Sequence, residues 1–275
     1  MSALPHVEAP LNYLEGAPAE KPAFYIRVPP REQRRRGPKL GPRTVSIHDA
    51  RTIHAALSLD REGVVLVRQT SAVTDFYDSE VVRAHYYPEM EALVAKHTGA
   101  SRVLAFDHNL RSIALAGRAE HGAQMPVRFA HNDYTDDSAP QRVRDLLPDE
   151  ADTLLARRFA VINVWRPIHH PALATPLAVC DAGTLDPDDL VTMDLIYPDR
   201  VGEVQSLRFD LAHRWLYFPS MQPDEVLLLK CYDSARDGRA RFTAHTAFDD
   251  PSTPPDAPAR ESVEVRTLAF FDEPR

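Results

Sequence analysis

The sequence predicts a mainly β fold, a two-sheet jelly roll with supporting α-helices on one side. Three observations carry this. About ten short runs rich in β-branched and aromatic residues crowd the C-terminal two-thirds of the chain. Helical spacing of apolar residues is concentrated ahead of those runs, so strands and helices do not alternate as a doubly wound sheet would require. Finally, 24 prolines against 10 glycines suit short strands joined by stiff loops better than a helical bundle.

Taken in order, Met1 to Arg43 is rich in Pro and Arg and reads as an N-terminal arm. Leu11, Tyr13, Phe24, Tyr25 and Ile26 are apolar enough to dock it. A single domain then runs from residue 44 to residue 275. Thr44–His48 and Gly63–Arg68 read as strands, with a turn or short helix over Arg51–Leu59 between them. From Ser79, a candidate N-cap, Tyr86, Met90, Leu93 and Val94 recur at helical spacing up to Gly99, a candidate C-cap. Pro88 should start a second helix or kink a longer one. Arg102–Phe106 is the next strand. A polar loop is expected after Asp133, and Pro148-Asp149-Glu150 opens a short helix to about Arg157.

Phe159–Ile168 is the clearest strand. Its alternation puts Phe159, Val161, Asn163 and Trp165 on one face and Ala160, Ile162, Val164 and Arg166 on the other. A buried amide or guanidinium is costly unless hydrogen-bonded, so Asn163 and Arg166 mark this strand as a candidate pocket wall. Further strands follow at Pro176–Asp181, Glu203–Leu211, Trp215–Phe218, Glu225–Tyr232, Phe242–Phe248 and Ser262–Phe271.

Composition narrows the function classes. At 275 residues and 44% hydrophobic, the chain can bury a large core. A net charge of −8 argues against a general nucleic-acid binder, and the basic run Arg31–Arg36 reads as an exposed loop. No apolar segment approaches membrane-spanning length, and no basic-then-apolar leader is present, so a cytoplasmic protein without a membrane partner is expected. Cys180 and Cys231 sit in apolar runs and read as buried free thiols.

The chemistry centres on Ala130-His131-Asn132-Asp133-Tyr134-Thr135. In an extended strand, residues two apart project the same way, so His131 and Asp133 can reach one metal ion. Two histidines and one carboxylate on one side of an ion is the arrangement of non-haem Fe(II) oxygenases, with other positions open for cosubstrate and dioxygen. A third ligand is then needed. His245 is favoured over His213, because His245 is followed by a strand carrying Arg260 and Arg266. A guanidinium grips an anionic cosubstrate in a bidentate way. His213 remains the alternative. Gln124, Tyr134, His108 and Arg111 are weaker candidates, and His169-His170 reads as a loop pair.

The runs Val161-Ile162-Asn163-Val164-Trp165-Arg166-Pro167, Gln222–Ser234, His245-Thr246-Ala247-Phe248 and Arg260–Arg266 together resemble the CmcJ/NvfI (AsaB-like, gibberellin-desaturase-like) family, similar to Fe(II)/2-oxoglutarate-dependent oxygenases. The resemblance spans about Val45 to Phe271. It implies a double-stranded β-helix (jelly roll) core, Fe(II) held by His131 and Asp133, and 2-oxoglutarate as cosubstrate. Dioxygen and a small secondary metabolite are the other reactants, with hydroxylation, desaturation or a related C–H oxidation as outcome. On this reading Arg260 or Arg266 meets the distal carboxylate of 2-oxoglutarate, with Lys230 as alternative. Asn163, Arg166 and Tyr217 orient cosubstrate or substrate. No glycine-rich strand–turn–helix is present to hold a nucleotide-like cofactor. Two other readings compete: a non-catalytic jelly-roll metabolite-binding protein, and a cupin-like hydrolase or isomerase using zinc.

Overall fold

The computed structural model describes residues 4–16, 19–26 and 37–274. Fourteen strands are found among them: β1 (His6–Leu14), β2 (Ala23–Tyr25), β3 (Leu40–Asp49), β4 (Val64–Arg68), β5 (Arg102–Arg111), β6 (His131–Asn132), β7 (Arg157–Pro167), β8 (Leu177–Cys180), β9 (Leu190–Ile196), β10 (Val201–Leu207), β11 (Trp215–Tyr217), β12 (Glu225–Asp233), β13 (His245–Ala247) and β14 (Ser262–Pro274). They form a nine-stranded sheet in the order β1-β3-β11-β8-β13-β6-β10-β9-β2 and a five-stranded sheet in the order β4-β12-β7-β14-β5. This is the expected two-sheet jelly roll. No helix is long and apolar enough to cross a membrane.

Side-chain alternation on β7 explains how three layers form from two sheets. Phe159, Val161 and Trp165 join Leu227, Leu229 and Cys231 of β12 in the core between the sheets. Ala160, Ile162 and Val164 point the other way, into a second core covered by helix. That cover is α1 (Ser79–Val81), a π-helical turn over Val82–Tyr86, and α2 (Tyr87–Thr98). Tyr87, Met90, Leu93 and Val94 face the sheet from α2, which closes at Gly99 with φ 73°. The cap at its start is Asp78 rather than Ser79: the Asp78 carboxylate accepts from the Glu80 and Val81 backbone N–H groups. Pro88 lies in the first turn of α2, where its missing N–H is harmless.

Three expectations change. The segment read as an N-terminal arm supplies strands of the large sheet, with β1 paired to β3 along its whole length from His6↔His48 to Leu14↔Leu40. Its Arg31–Arg36 run lies outside the described residues. The loop expected after Asp133 contains α4 (Ser138–Leu146), ahead of α5 (Ala151–Leu155), with α3 (Ile113–Gly117) earlier in the chain. Strand β9 was not anticipated, because Thr192 and Asp194 interrupt its apolar run. Cys180 and Cys231 are buried free thiols.

Because Met90 is fully buried against the outer face of the small sheet, Met90→Ala should cost about 2–5 kcal/mol of stability. Denaturant unfolding checks this. A loss below about 0.5 kcal/mol would contradict the packing described.

Candidate metal centre

Strand β6 is two residues long, and its position decides where the chemistry sits. His131 on β6 stands directly opposite His245 on β13 in antiparallel register. Directly opposed residues share a face, so the two imidazoles lie side by side, ring centroids 4.5 Å apart. Asp133 leaves the end of the same strand, its Oδ1 3.6 Å from His131 Nε2. One ligand-capable atom from each of His131, Asp133 and His245 lies within 4.8 Å of the other two.

Neighbouring groups set the protonation that a metal would require. His131 Nδ1 faces the Phe129 carbonyl at 2.8 Å, and His245 Nδ1 faces the Thr243 carbonyl at 3.2 Å. A carbonyl only accepts, so each Nδ1 carries hydrogen and Nε2 is the nitrogen of each ring that can meet a metal. Burial, with the neighbouring His245 second, pushes the His131 pKa down to about 3, which keeps the ring neutral at physiological pH. Burial alone would raise Asp133. The Arg266 guanidinium is the largest opposing influence, followed by the two histidines and the Asn163 amide, and together they hold the carboxyl below its ordinary range. Asn163 Nδ2 donates to Asp133 Oδ2 at 2.7 Å, leaving Oδ1 toward the histidines. Two imidazole nitrogens and one carboxylate oxygen are a donor set that suits ferrous iron.

Asn132, between the two, is a residue that the sequence reading passed over. Its side chain points away from the site into the core and is fully buried. Nδ2 donates to the Tyr134 carbonyl at 2.7 Å, Gln205 Oε1 at 3.0 Å and the Cys231 carbonyl at 3.0 Å, while Oδ1 accepts from the Thr243 N–H at 3.3 Å. Thr243 also supplies the carbonyl behind His245. One amide therefore ties the β6 segment to β10, to β12 and to the chain that delivers the other histidine. The signal available in sequence was the polar residue inside an otherwise alternating His-x-Asp.

Above the cluster lies a cavity of about 1010 Å³ whose walls include His131, Asp133, Tyr134, Arg266, Arg111 and Gln124. Of the candidate arginines, Arg266 stands opposite Asn163 in the β14·β7 ladder and lines this cavity, its Nε 3.3 Å from Asp107 Oδ1. Arg260 lies deeper between the sheets, over the Trp165 ring at 5.5 Å, and donates to the Thr175 carbonyl at 2.7 Å.

The remaining candidates lie elsewhere, and strand parity gives the reason. Lys230 falls between Leu229 and Cys231, so it projects to the opposite side of β12. There its ammonium binds Asp60 and Asp233, beside a separate cavity of about 240 Å³. Arg166, one position out of phase with Asn163 and Trp165, sits between Phe76 and Tyr86 under the helices and donates to the Pro223 carbonyl. Tyr217 is on the far face of the large sheet, edge-on to Phe248. His213 stacks on Tyr13, its Nε2 3.2 Å from Asp189 Oδ2, away from the cluster. His108 bonds Tyr87 and Ser79 on the helical side.

If Asn132 sets ligand spacing, Asn132→Asp should weaken Fe(II) affinity about tenfold or more, since a carboxylate would face three acceptor oxygens. The isothermal binding curve of Fe(II) to folded protein measures it. Unchanged affinity alongside a lowered melting temperature would reduce Asn132 to a fold-stabilising role.

Residues 11–270 match the family model described as an oxidoreductase/YMDC permease-like domain. The alpha-ketoglutarate-dependent dioxygenase phiK of a fungal species (strain ATCC 74256) is 35% identical over 83% of this chain and 84% of its own length. The Fe(II)/2-oxoglutarate-dependent dioxygenase nvfI of Aspergillus novofumigatus is 33% identical over 96% of both chains. A solved structure of the iron and alpha-ketoglutarate-dependent endoperoxidase NvfI superposes with a TM-score of 0.86 at 30% identity, covering 98% of this chain and 99% of that one. The chain belongs to this NvfI-like, AsaB-like family of oxidoreductases.

Proposed function

We propose that the chain is a non-haem Fe(II)/2-oxoglutarate-dependent dioxygenase that oxidises a C–H bond of a small secondary-metabolite-like substrate. His131, Asp133 and His245 are its iron ligands on this reading. The observation that carries it is the cluster of two imidazoles and one carboxylate, of which His131 and Asp133 line a cavity of about 1010 Å³. The relatives favour this over a zinc hydrolase or a non-catalytic binding protein.

Fe(II) with 2-oxoglutarate supplies the oxidising power, coupling decarboxylation of the keto-acid to succinate with oxidation of the substrate by dioxygen. The chain's own residues do the rest. His131, Asp133 and His245 would hold the ion, and the cavity beside His131 and Asp133 would admit small molecules to it. Asn163 holds the Asp133 carboxylate in one orientation through its 2.7 Å hydrogen bond. Arg266, permanently charged and lining the cavity beside Asp107, receives the distal carboxylate of 2-oxoglutarate. The cavity walls place the substrate carbon toward the ion and keep bulk water from it. A cytoplasmic setting, with no nucleic-acid or membrane partner, accompanies this reading; the net charge of −8 supports the first exclusion.

Anaerobic titration with Fe(II) and 2-oxoglutarate should produce a weak visible charge-transfer band that His131→Ala abolishes. Turnover with substrate should release succinate. Arg266→Gln should raise the 2-oxoglutarate Kd about tenfold or more, the scale of a lost charge-assisted hydrogen bond. No band, and no succinate with any of a broad substrate panel, would contradict the assignment.

A further inference from the structure

The cavity has two unlike walls. On the small sheet, β5 presents Asp107, Asn109 and Arg111 to it at alternate positions, while His108 and Leu110 point to the helical side. Gln124 joins two of these into one strip. Its Nε2 donates to Asn109 Oδ1 at 3.2 Å, and its Oε1 accepts from Arg111 Nη1 at 3.5 Å. Arg111 Nη1 also donates to the Met125 carbonyl at 2.9 Å. On the large sheet the wall carries an apolar patch, with Glu203 at its side. Phe24 of β2 packs on Phe129 at 4.7 Å, and Phe129 packs on His131 at 4.9 Å, with Leu195 and Val204 beside them.

Unpartnered polar atoms fall on the first wall. Asn109 Nδ2 and the Tyr134 hydroxyl are buried without hydrogen-bond partners among the described residues, while Arg266 Nε faces Asp107 Oδ1 at 3.3 Å. Each unmet atom costs about 1–3 kcal/mol, so a bound molecule that offers a partner there gains affinity. A single distal carboxylate on the cosubstrate satisfies one guanidinium, and the reading above assigns it to Arg266. That leaves the Asn109 amide with Nδ2 unmet, and beside it on the same strand face the Arg111 guanidinium, which Gln124 and the Met125 carbonyl fix at the cavity wall with the Glu264 carboxyl nearby.

We infer that Asn109 and Arg111 form a substrate subsite for an oxygen acceptor, a carboxylate or a carbonyl, on the edge of a largely apolar molecule whose carbon frame packs against Phe24 and Phe129. The class of substrate is thus an apolar ring system oxygenated along one side, with the opposite side against the aromatic wall. This inference rests on the assignment of the cosubstrate to Arg266.

Calorimetric titration of the anaerobic Fe(II)/2-oxoglutarate complex tests it with three size-matched probes: 2-naphthoate, 2-acetylnaphthalene and 2-ethylnaphthalene. An oxygenated probe should bind about tenfold tighter than the ethyl compound. Naphthoate leading identifies a carboxylate site, and the two binding equally identifies a carbonyl site. In Arg111→Leu, and separately in Asn109→Leu, that preference should shrink to about twofold while 2-oxoglutarate affinity holds within about twofold. Equal binding of all three probes to the unaltered protein, or binding of none, overturns the inference. So does a loss of 2-oxoglutarate affinity in Arg111→Leu matching that in Arg266→Gln, since Arg111 would then serve the cosubstrate. Failure of the oxygenase reading itself is distinguishable, because the Fe(II)/2-oxoglutarate band would be missing before any probe is added.

Discussion

The register pair His131↔His245 is the constraint on which the site depends. Antiparallel neighbours that face each other directly place their side chains on one side of the sheet at close range, so a single pairing brings together two ligands from distant parts of the chain. A two-residue strand has few backbone bonds with which to hold that pairing. The deficit is made up by Asn132, whose fully buried amide is hydrogen-bonded to three segments at once. Local pleat alternation then sends His131 out toward the cavity and Asn132 inward, so one short strand both anchors the site and presents it.

Electrostatics follow from this placement. Burying a carboxylate between sheets is unfavourable unless charge and hydrogen bonds compensate it. Asn163 and Arg266, facing each other across β7 and β14, provide that compensation at Asp133. Burial meanwhile keeps His131 neutral. The same two inward positions therefore prepare the donor set for a cation and leave a guanidinium facing the cavity for an anion. Both kinds of ligand suit one compartment, because Asp133 and Arg266 line the same cavity.

Much of this was legible in the sequence, and the errors have physical causes. The His-x-Asp spacing and the faces of β7 follow from strand alternation alone, so Asn163 could be placed with Val161 and Trp165 before any coordinates. The same parity, applied to Leu229-Lys230-Cys231, would have removed Lys230, and applied to Arg166 it would have sent that side chain under the helices. His245 was favoured over His213 for the arginine-bearing strand beyond it; the pairing with β6 that sets it beside His131 is encoded by no local pattern. Helix α4 was missed because it buries only Ala139 and Val143, too thin an apolar stripe to read as periodic. The N-terminal segment was taken for an arm because its prolines and arginines obscured the alternation of Ala9, Leu11 and Tyr13, which are buried in the outer core of the large sheet.

The most direct test of the account is anomalous diffraction at the iron edge from crystals of the protein with Fe(II) and 2-oxoglutarate, grown without oxygen. The account expects one strong iron peak within bonding distance, about 2.0–2.2 Å, of His131 Nε2, His245 Nε2 and an Asp133 oxygen. An iron peak at another location, or one held by fewer than those three side chains, would contradict it.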